Sequence, residues 1–283
     1  MKVLAFGEII WDIYPEEKCI GGAPLNFAAH AALLGNESYL LSAVGDDELA
    51  KPAKEALSRF SVKTDFIATV PKKQTGKCIV SLDKRGVPSY NLLEDTAYDY
   101  LSADGDFKDF DVFAFGTLIQ RSEQNREAIK DILKKNTFKH IFCDLNLRSP
   151  FYSKESALLC AENASILKIS REELPMATAL LLGSEILAPA TAARQLSARF
   201  PGIKIILITL DSDGALAFQT DEKCSFYAPA KKAKVLSTVG AGDSFSAAFI
   251  SSYLADEDIN KALECAINLS SFVVSKKEAV PLK

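Results

Sequence analysis

Short apolar runs alternate with amphipathic stretches along most of the chain. Val3-Leu4-Ala5-Phe6-Gly7 is continuously apolar and ends in Gly, which suits a strand buried on both faces. Residues 24–34 are almost wholly apolar or small and are closed by Gly35, the pattern of a buried helix with a glycine cap. The same reading predicts strands at 38–44, 111–115, 140–145, 165–169, 203–210 and 215–219. It predicts helices at 48–60, 123–135 and 153–162, on either side of Leu187, and at 243–254 and 260–274. In 123–135 the apolar Ala128, Ile129, Ile132 and Leu133 fall on one face. This alternation predicts one α/β domain over 1–283: a mainly parallel central sheet with helices on both faces.

Two stretches break the rhythm. Residues 12–22 are mixed and turn-rich. Between 64 and 100, strand-like runs at 67–70 and 77–82, a turn at Lys84-Arg85-Gly86 and a returning run at 89–93 read as an antiparallel hairpin region. It is expected to form a small sheet protruding from the main domain.

Composition narrows the choice of partners. Hydrophobic residues make up 48% of 283, enough for a sizeable core, and the formal charge is -4. That balance argues against a nucleic-acid partner, which a basic face would serve. No run of about 18 apolar residues is present, so no membrane span is expected. Glu8 interrupts the apolar start, which reads as a first strand and not as a secretion signal. The six Cys are scattered without a C-x-x-C pair, which suits buried free thiols and a cytoplasmic setting. His30 lies among alanines and reads as a packed core histidine.

The chemistry concentrates late in the chain. From Lys234 to Val239 a strand is expected, then Gly240-Ala241-Gly242-Asp243, then a helix with Phe245, Ala248, Phe249 and Tyr253 roughly on one face. N–H groups at such a helix start are unpaired, and with the helix dipole they suit phosphate oxygens. Gly and Ala let a phosphate come close. A carboxylate at Asp243 would repel that anion unless it faces a second ligand and takes a proton from its hydroxyl. The plain alternative is a glycine-rich turn with Asp243 as an N-terminal helix charge. The chain has no Walker A loop, and the dinucleotide fingerprint fails because Phe245 stands at its third glycine.

Together with Gly21-Gly22-Ala23-Pro24-Leu25-Asn26, this loop resembles the ribokinase-like (PfkB) sugar kinases. The resemblance covers nearly the whole chain in order: Asp12, the Gly-Gly-x-x-x-Asn segment, Val44-Gly45-Asp46-Asp47, Asp144-Leu145-Asn146-Leu147-Arg148, the stretch from Thr209 to Gly214, and the Gly-Ala-Gly-Asp loop. The segment from Phe115 to Ser122, the Asp-x-Asn-x-Arg stretch and Gly22-Ala23-Pro24 are similar to the fructokinase branch. The resemblance implies a ribokinase-like α/β fold with a small antiparallel β lid, built from about 12–22 and 64–100. It implies Asp243 as the base and the Gly240, Ala241 and Gly242 amides as the anion hole. Asp12, Gly22, Asn26, Arg121 and Arg148 would meet the substrate. Thr209, Gly214 and Asn268 would line the ATP site. Mg²⁺ would accompany ATP, with Glu173 acting on it through water or phosphate. A homodimer through the lid is left open.

Three departures qualify the match. Ser237 stands where the family has an Asp that helps hold a monovalent cation, which puts potassium activation in question. Ser170 replaces the Asn of an Asn-x-x-Glu pattern, and Glu278 replaces a Gly near the adenine site. The resulting expectation is ATP-dependent phosphorylation of a primary hydroxyl, of fructose before 2-keto-3-deoxygluconate or a nucleoside. A nucleotide or sugar sensor without turnover is the rival of another class.

Overall fold

The structure is a computed structural model, and it describes residues 1–82 and 88–282. In chain order the strands and helices are β1 (Lys2–Phe6), β2 (Ile10–Ile13), β3 (Lys18–Gly21), α1 (Ala23–Leu33), β4 (Glu37–Val44), α2 (Ala50–Arg59), β5 (Ile67–Thr69), β6 (Gly76–Leu82) and β7 (Pro88–Leu92). There follow β8 (Val112–Gly116), α3 (Glu123–Lys135), β9 (His140–Asp144), α4 (Lys154–Asn163), β10 (Ile166–Ser170), α5 (Leu174–Leu182) and α6 (Pro189–Arg199). The chain ends with β11 (Ile205–Thr209), β12 (Ala215–Gln219), β13 (Cys224–Ala228), α7 (Ala241–Asp256) and α8 (Ile259–Val273).

The strands build one large sheet in the order β13-β12-β11-β10-β9-β8-β1-β4-β5. The seven strands from β11 to β5 run parallel, and β12 and β13 turn back antiparallel at one edge. Successive side chains of a strand face opposite sides, so a continuously apolar strand serves two cores. Leu4 and Phe6 pack into one core with Ile129, Leu167 and Leu196. Val3 and Ala5 pack into the other with Leu25, Phe27, Phe245, Phe249 and Leu263. Helices α1, α7 and α8 therefore cover one face, and α3 and α6 the other.

The second sheet has the order β3-β2-β6-β7. It is mixed and not wholly antiparallel, because β2 and β6 at its centre run parallel. Residues 12–22, read as turn-rich, thus supply two strands. The run at 67–70 goes elsewhere: β5 pairs with β4 at the edge of the large sheet, which moves 64–75 out of the small one. The Lys84-Arg85-Gly86 turn lies outside the described residues.

The strand expected at 234–239 does not form. The sheet edge on that side is taken by β13, and the Leu236 and Ser237 N–H groups both turn to the Val274 carbonyl, at 2.8 and 3.3 Å. Val235, Leu236 and Val239 are left exposed. The thiols of Cys78, Cys143 and Cys160 are buried and free, as expected, whereas Cys19 is exposed on β3.

Candidate active site

Open α/β sheets bind ligands beyond the carboxyl ends of their strands, where neighbouring connections leave in opposite directions. Here that place lies between β1, whose chain moves on to β4, and β8 on its other side. A small cavity opens there, lined by Glu8, Phe27, Gly116, Asp144, Asn146 and Asp243 among others.

Two helix starts meet at the cavity. Helix α1 begins after Gly22, whose φ is 112°. A methyl at Gly22 would lie 2.5 Å from the Glu8 carbonyl oxygen, so only glycine fits. Glycine cannot cap the helix with a side chain, and Glu8 does so from outside: its Oε1 accepts the Ala23 N–H at 3.2 Å. Helix α7 begins after Gly240, with φ 77°, and a methyl there would lie 2.7 Å from the Ala279 carbonyl oxygen. His30 on α1 meets the same carbonyl at 2.8 Å, which ties α1 to the C-terminal segment packed against the start of α7.

Across this junction Asn26 Nδ2 donates to Asp243 Oδ2 at 2.8 Å. Burial, with the nearby Asp144 adding to it, pushes the Asp243 carboxyl up to about 6; the Asn26 hydrogen bond and the charges of Lys168 and Arg148 oppose the rise. A group in that range changes protonation near neutral pH, as a general base should. Asn26 Oδ1 and Asp144 Oδ1 are buried without a hydrogen-bond partner. Buried polar atoms are normally satisfied, so an orphan on cavity-lining Asp144 and another on Asn26, which is bonded to cavity-lining Asp243, suit a hydroxylated ligand.

The loop expected to hold the anion has one of its amides engaged. The Ala241 N–H donates to the Thr238 carbonyl at 3.2 Å. Gly242 and Asp243 stand in the first turn, where N–H groups have no helical carbonyl ahead of them. Beneath Gly242 lies Lys168, whose Nζ binds Asp144 Oδ2 at 2.6 Å.

Asp12 sits mid-strand in the small sheet between Cys19 and Cys78. Burial raises its carboxyl and Arg148 opposes the rise. Arg148, exposed beyond the end of β9, thus acts on both Asp12 and Asp243. The structure draws Asp12, Gly22, Asn26, Arg148, the loop and Asp243 to one place.

Other expected residues are held by protein partners or lie farther off. Arg121 holds Asp99 in a bidentate pair, Nε to Oδ1 and Nη2 to Oδ2, both at 2.7 Å. It also donates to the Leu93 carbonyl and stacks against Tyr98 and Phe151. Only Nη1 remains, buried and unpaired. Arg121 thus bridges Asp99 and the Leu93 carbonyl. Glu173 likewise spends its carboxylate on protein donors. It accepts the Ser170 N–H and hydroxyl at 2.9 and 2.8 Å, and the Leu147 N–H. It joins the end of β10 to the loop after β9.

Asp47 accepts the Thr75 hydroxyl at 2.6 Å and so fastens the start of α2 to the base of the small sheet. Thr209 ends β11. Gly214, at φ 118°, allows the β11–β12 turn to press on the Ala228 carbonyl. Asn268 is exposed on α8. These three lie on the α8–β12–β13 side, away from the small sheet.

Two residues escaped the sequence reading. Lys168 carried a signal, since a charge inside the apolar run Ile166-Leu167-Lys168-Ile169 is out of place unless paired. Glu8 carried the same signal in the first apolar run. Burial pushes its carboxyl up to about 7, with Asp243 adding to the rise.

Known proteins share this construction. A fructokinase of Vibrio alginolyticus is 27% identical over 259 residues, covering 86% of this chain and 81% of its own. A sugar kinase of Pyrococcus horikoshii in complex with ATP is 25% identical and superposes with a TM-score of 0.81 over 99% of this chain and 94% of its own. A double mutant of the Vibrio cholerae fructokinase, bound to fructose, ADP and potassium ion, shares the fold with a TM-score of 0.85 at 21% identity, over 99% and 94% of the two chains. The sequence matches the description "pfkB family carbohydrate kinase" over residues 15–282. The chain belongs to the pfkB family of carbohydrate kinases, enzymes that transfer a phosphoryl group to a sugar hydroxyl.

Proposed function

We propose that this kinase transfers the ATP γ-phosphate to a primary hydroxyl of a neutral sugar, with fructose first among the candidates. The observation that carries the reading is the Asn26–Asp243 contact at the start of α7. It puts a proton acceptor beside unpaired helix N–H groups, with Asp12 and Arg148 on the other side of the site.

The proposed steps follow from the charges. The sugar lies between the small sheet and the sheet ends, with Asp12 and Asn26 on its hydroxyls. Asp243 takes the proton of the attacking hydroxyl. The Gly242 amide and the helix start hold charge that develops on the transferred phosphoryl group. The small sheet acts as the lid and keeps water out. The nucleotide lies over Thr209, Gly214 and Asn268. No group of three or more His, Cys, Asp or Glu among the described residues is placed to hold a metal ion. Mg²⁺ therefore comes with the triphosphate, bound by phosphates and water.

Arg121 bears on the sugar. An acid substrate needs a cation of its own, and Arg121 is spent on Asp99. This favours fructose over a ketodeoxygluconate. We place the protein in the cytoplasm; no helix among the described residues is long and apolar enough to cross a membrane. A homodimer through the small sheet belongs to the proposal, since Ile79 and Tyr90 leave apolar side chains uncovered there.

ADP release with Mg-ATP is the test, over a panel of fructose, ribose, ketogluconates and nucleosides. Fructose should give the highest kcat/KM. ATP binding without turnover on any of them would replace the enzyme by a sensor.

A further inference from the structure

We infer that Lys168 is the protein's own counter-charge to the transferred phosphoryl group, set beneath the anion-binding loop, with Asp144 as its positioning residue. The inference rests on the kinase reading and adds two residues to it.

Before its last residue, Ser170, the strand β10 is otherwise apolar, with Ile166, Leu167 and Ile169 fully buried and Lys168 only 4% exposed. A lysine in such a place is rare unless paired. Lys168 pairs in register with Asp144 on the neighbouring parallel strand, so both side chains rise on the same face. The Nζ–Oδ2 distance is 2.6 Å. The far side of the ammonium faces the loop: a methyl on Gly242 would lie 3.3 Å from Nζ. Glycine at 242 therefore does two things. It lets a phosphoryl group approach from outside and the ammonium approach from inside.

The pair is not a closed structural ion pair. Asp144 Oδ1 is buried without a partner and lines the cavity with Asp243. Ser246, one turn into α7, donates to the Gly242 carbonyl at 2.9 Å and reaches Asp144 Oδ2 at 3.4 Å. Lys168, Asp144 and the first turn of α7 form one unit. Phosphoryl transfer spreads charge over the equatorial oxygens, and a fixed ammonium in a dry site stabilises it without rearranging. Burial works against the Lys168 charge, but Asp144, Glu173 and Asp243 together keep it on the nitrogen.

The geometry gives a readout that a packing role would not move. Asp243 is faced by neutral Asn26 from α1, Asp144 from β9, Lys168 from β10, Arg148 beyond β9 and Glu8 beyond β1. Lys168 and Arg148 favour its charged form, whereas Asp144 opposes it. Removing Lys168 or Asp144 therefore shifts the base in opposite directions, with Arg148 and Glu8 unchanged.

The experiment compares the full-length wild type, Lys168→Gln and Asp144→Asn on the sugar the wild type accepts. Lys168→Gln should lose roughly 10²-fold or more in kcat, with far smaller changes in either KM. Its acid limb of kcat/KM should move up in pH, and that of Asp144→Asn should move down. A Lys168→Gln enzyme with near wild-type kcat, or two limbs moving together or not at all, overturns the inference while leaving the kinase reading in place. If Lys168→Gln lacks a cooperative melt, the direction for Asp144→Asn decides alone. A wild type without turnover removes both readings.

Discussion

Asn26 and Asp243, 217 residues apart in the chain, share a hydrogen bond of 2.8 Å from Nδ2 to Oδ2. It joins the first turn of α1 to the first turn of α7, and so fixes the proposed base against the residue proposed to hold the sugar. Both turns start at glycines with positive φ whose Cβ would strike neighbouring backbone.

The pH profile follows from that position. Asp243 has its carboxyl pushed up to about 6 and Glu8, in the same cavity, to about 7. A base acts deprotonated, so activity is present above this range and falls as pH drops through it. The two carboxyls repel, so the limb of kcat/KM between about 6 and 7 belongs to the pair. Glu8 is still protonated while Asp243 loses its proton, so Glu8→Gln should remove the upper step near 7 and leave the lower one near 6. A limb that stays near 4 in the wild type would contradict the buried base.

Glycine 22 is a steric requirement as well as a flexible joint. Gly22→Ala adds strain at φ 112° and a 2.5 Å contact with the Glu8 carbonyl, at a cost of about 1–3 kcal/mol or more. Gly35 also has positive φ, 91°, but has nothing within 4 Å of the added methyl. Thermal melts should show both variants destabilised, with turnover lost in Gly22→Ala alone. Equal turnover in the two would detach Gly22 from the site.

Arg121 separates stability from binding. Its pair with Asp99 is nearly buried, with 7% and 10% of the side chains exposed. Arg121→Met strands the carboxylate and should cost about 3–5 kcal/mol in denaturant unfolding, partly recovered by adding Asp99→Asn. A small stability change with a large rise in sugar KM would return Arg121 to the substrate.

Ser237 bears on monovalent cations. Its hydroxyl accepts the Val239 N–H at 3.2 Å, and no acidic residue occurs from Ala230 to Gly242. Turnover should be similar in potassium and in a large organic cation. A strong preference for potassium would show that backbone carbonyls suffice.

The large sheet was legible because its strands and helices carry distinct periods, and 123–135 even has the observed ends of α3. The small sheet was less so: β2 and β3 are short and mixed, and only tertiary pairing with β6 makes them strands. The stretch 234–239 looked like a strand by local propensity, yet it has no neighbour to pair with. For the site, the glycine-started helix ends that bring Asn26 and Asp243 together could be read from their loops, since glycine leaves a strong local mark. Arg121, Glu173 and Lys168 could not be assigned, because partner geometry decides whether a charge is spent or available.

Turnover of Asp243→Asn against wild type, with ATP affinity measured in parallel, tests the central claim most directly. The account predicts a fall of about 10³-fold or more in kcat with ATP affinity nearly intact, since the variant keeps the loop and the Asn26 contact but cannot accept the proton. An Asp243→Asn enzyme that retains most of its turnover would contradict it.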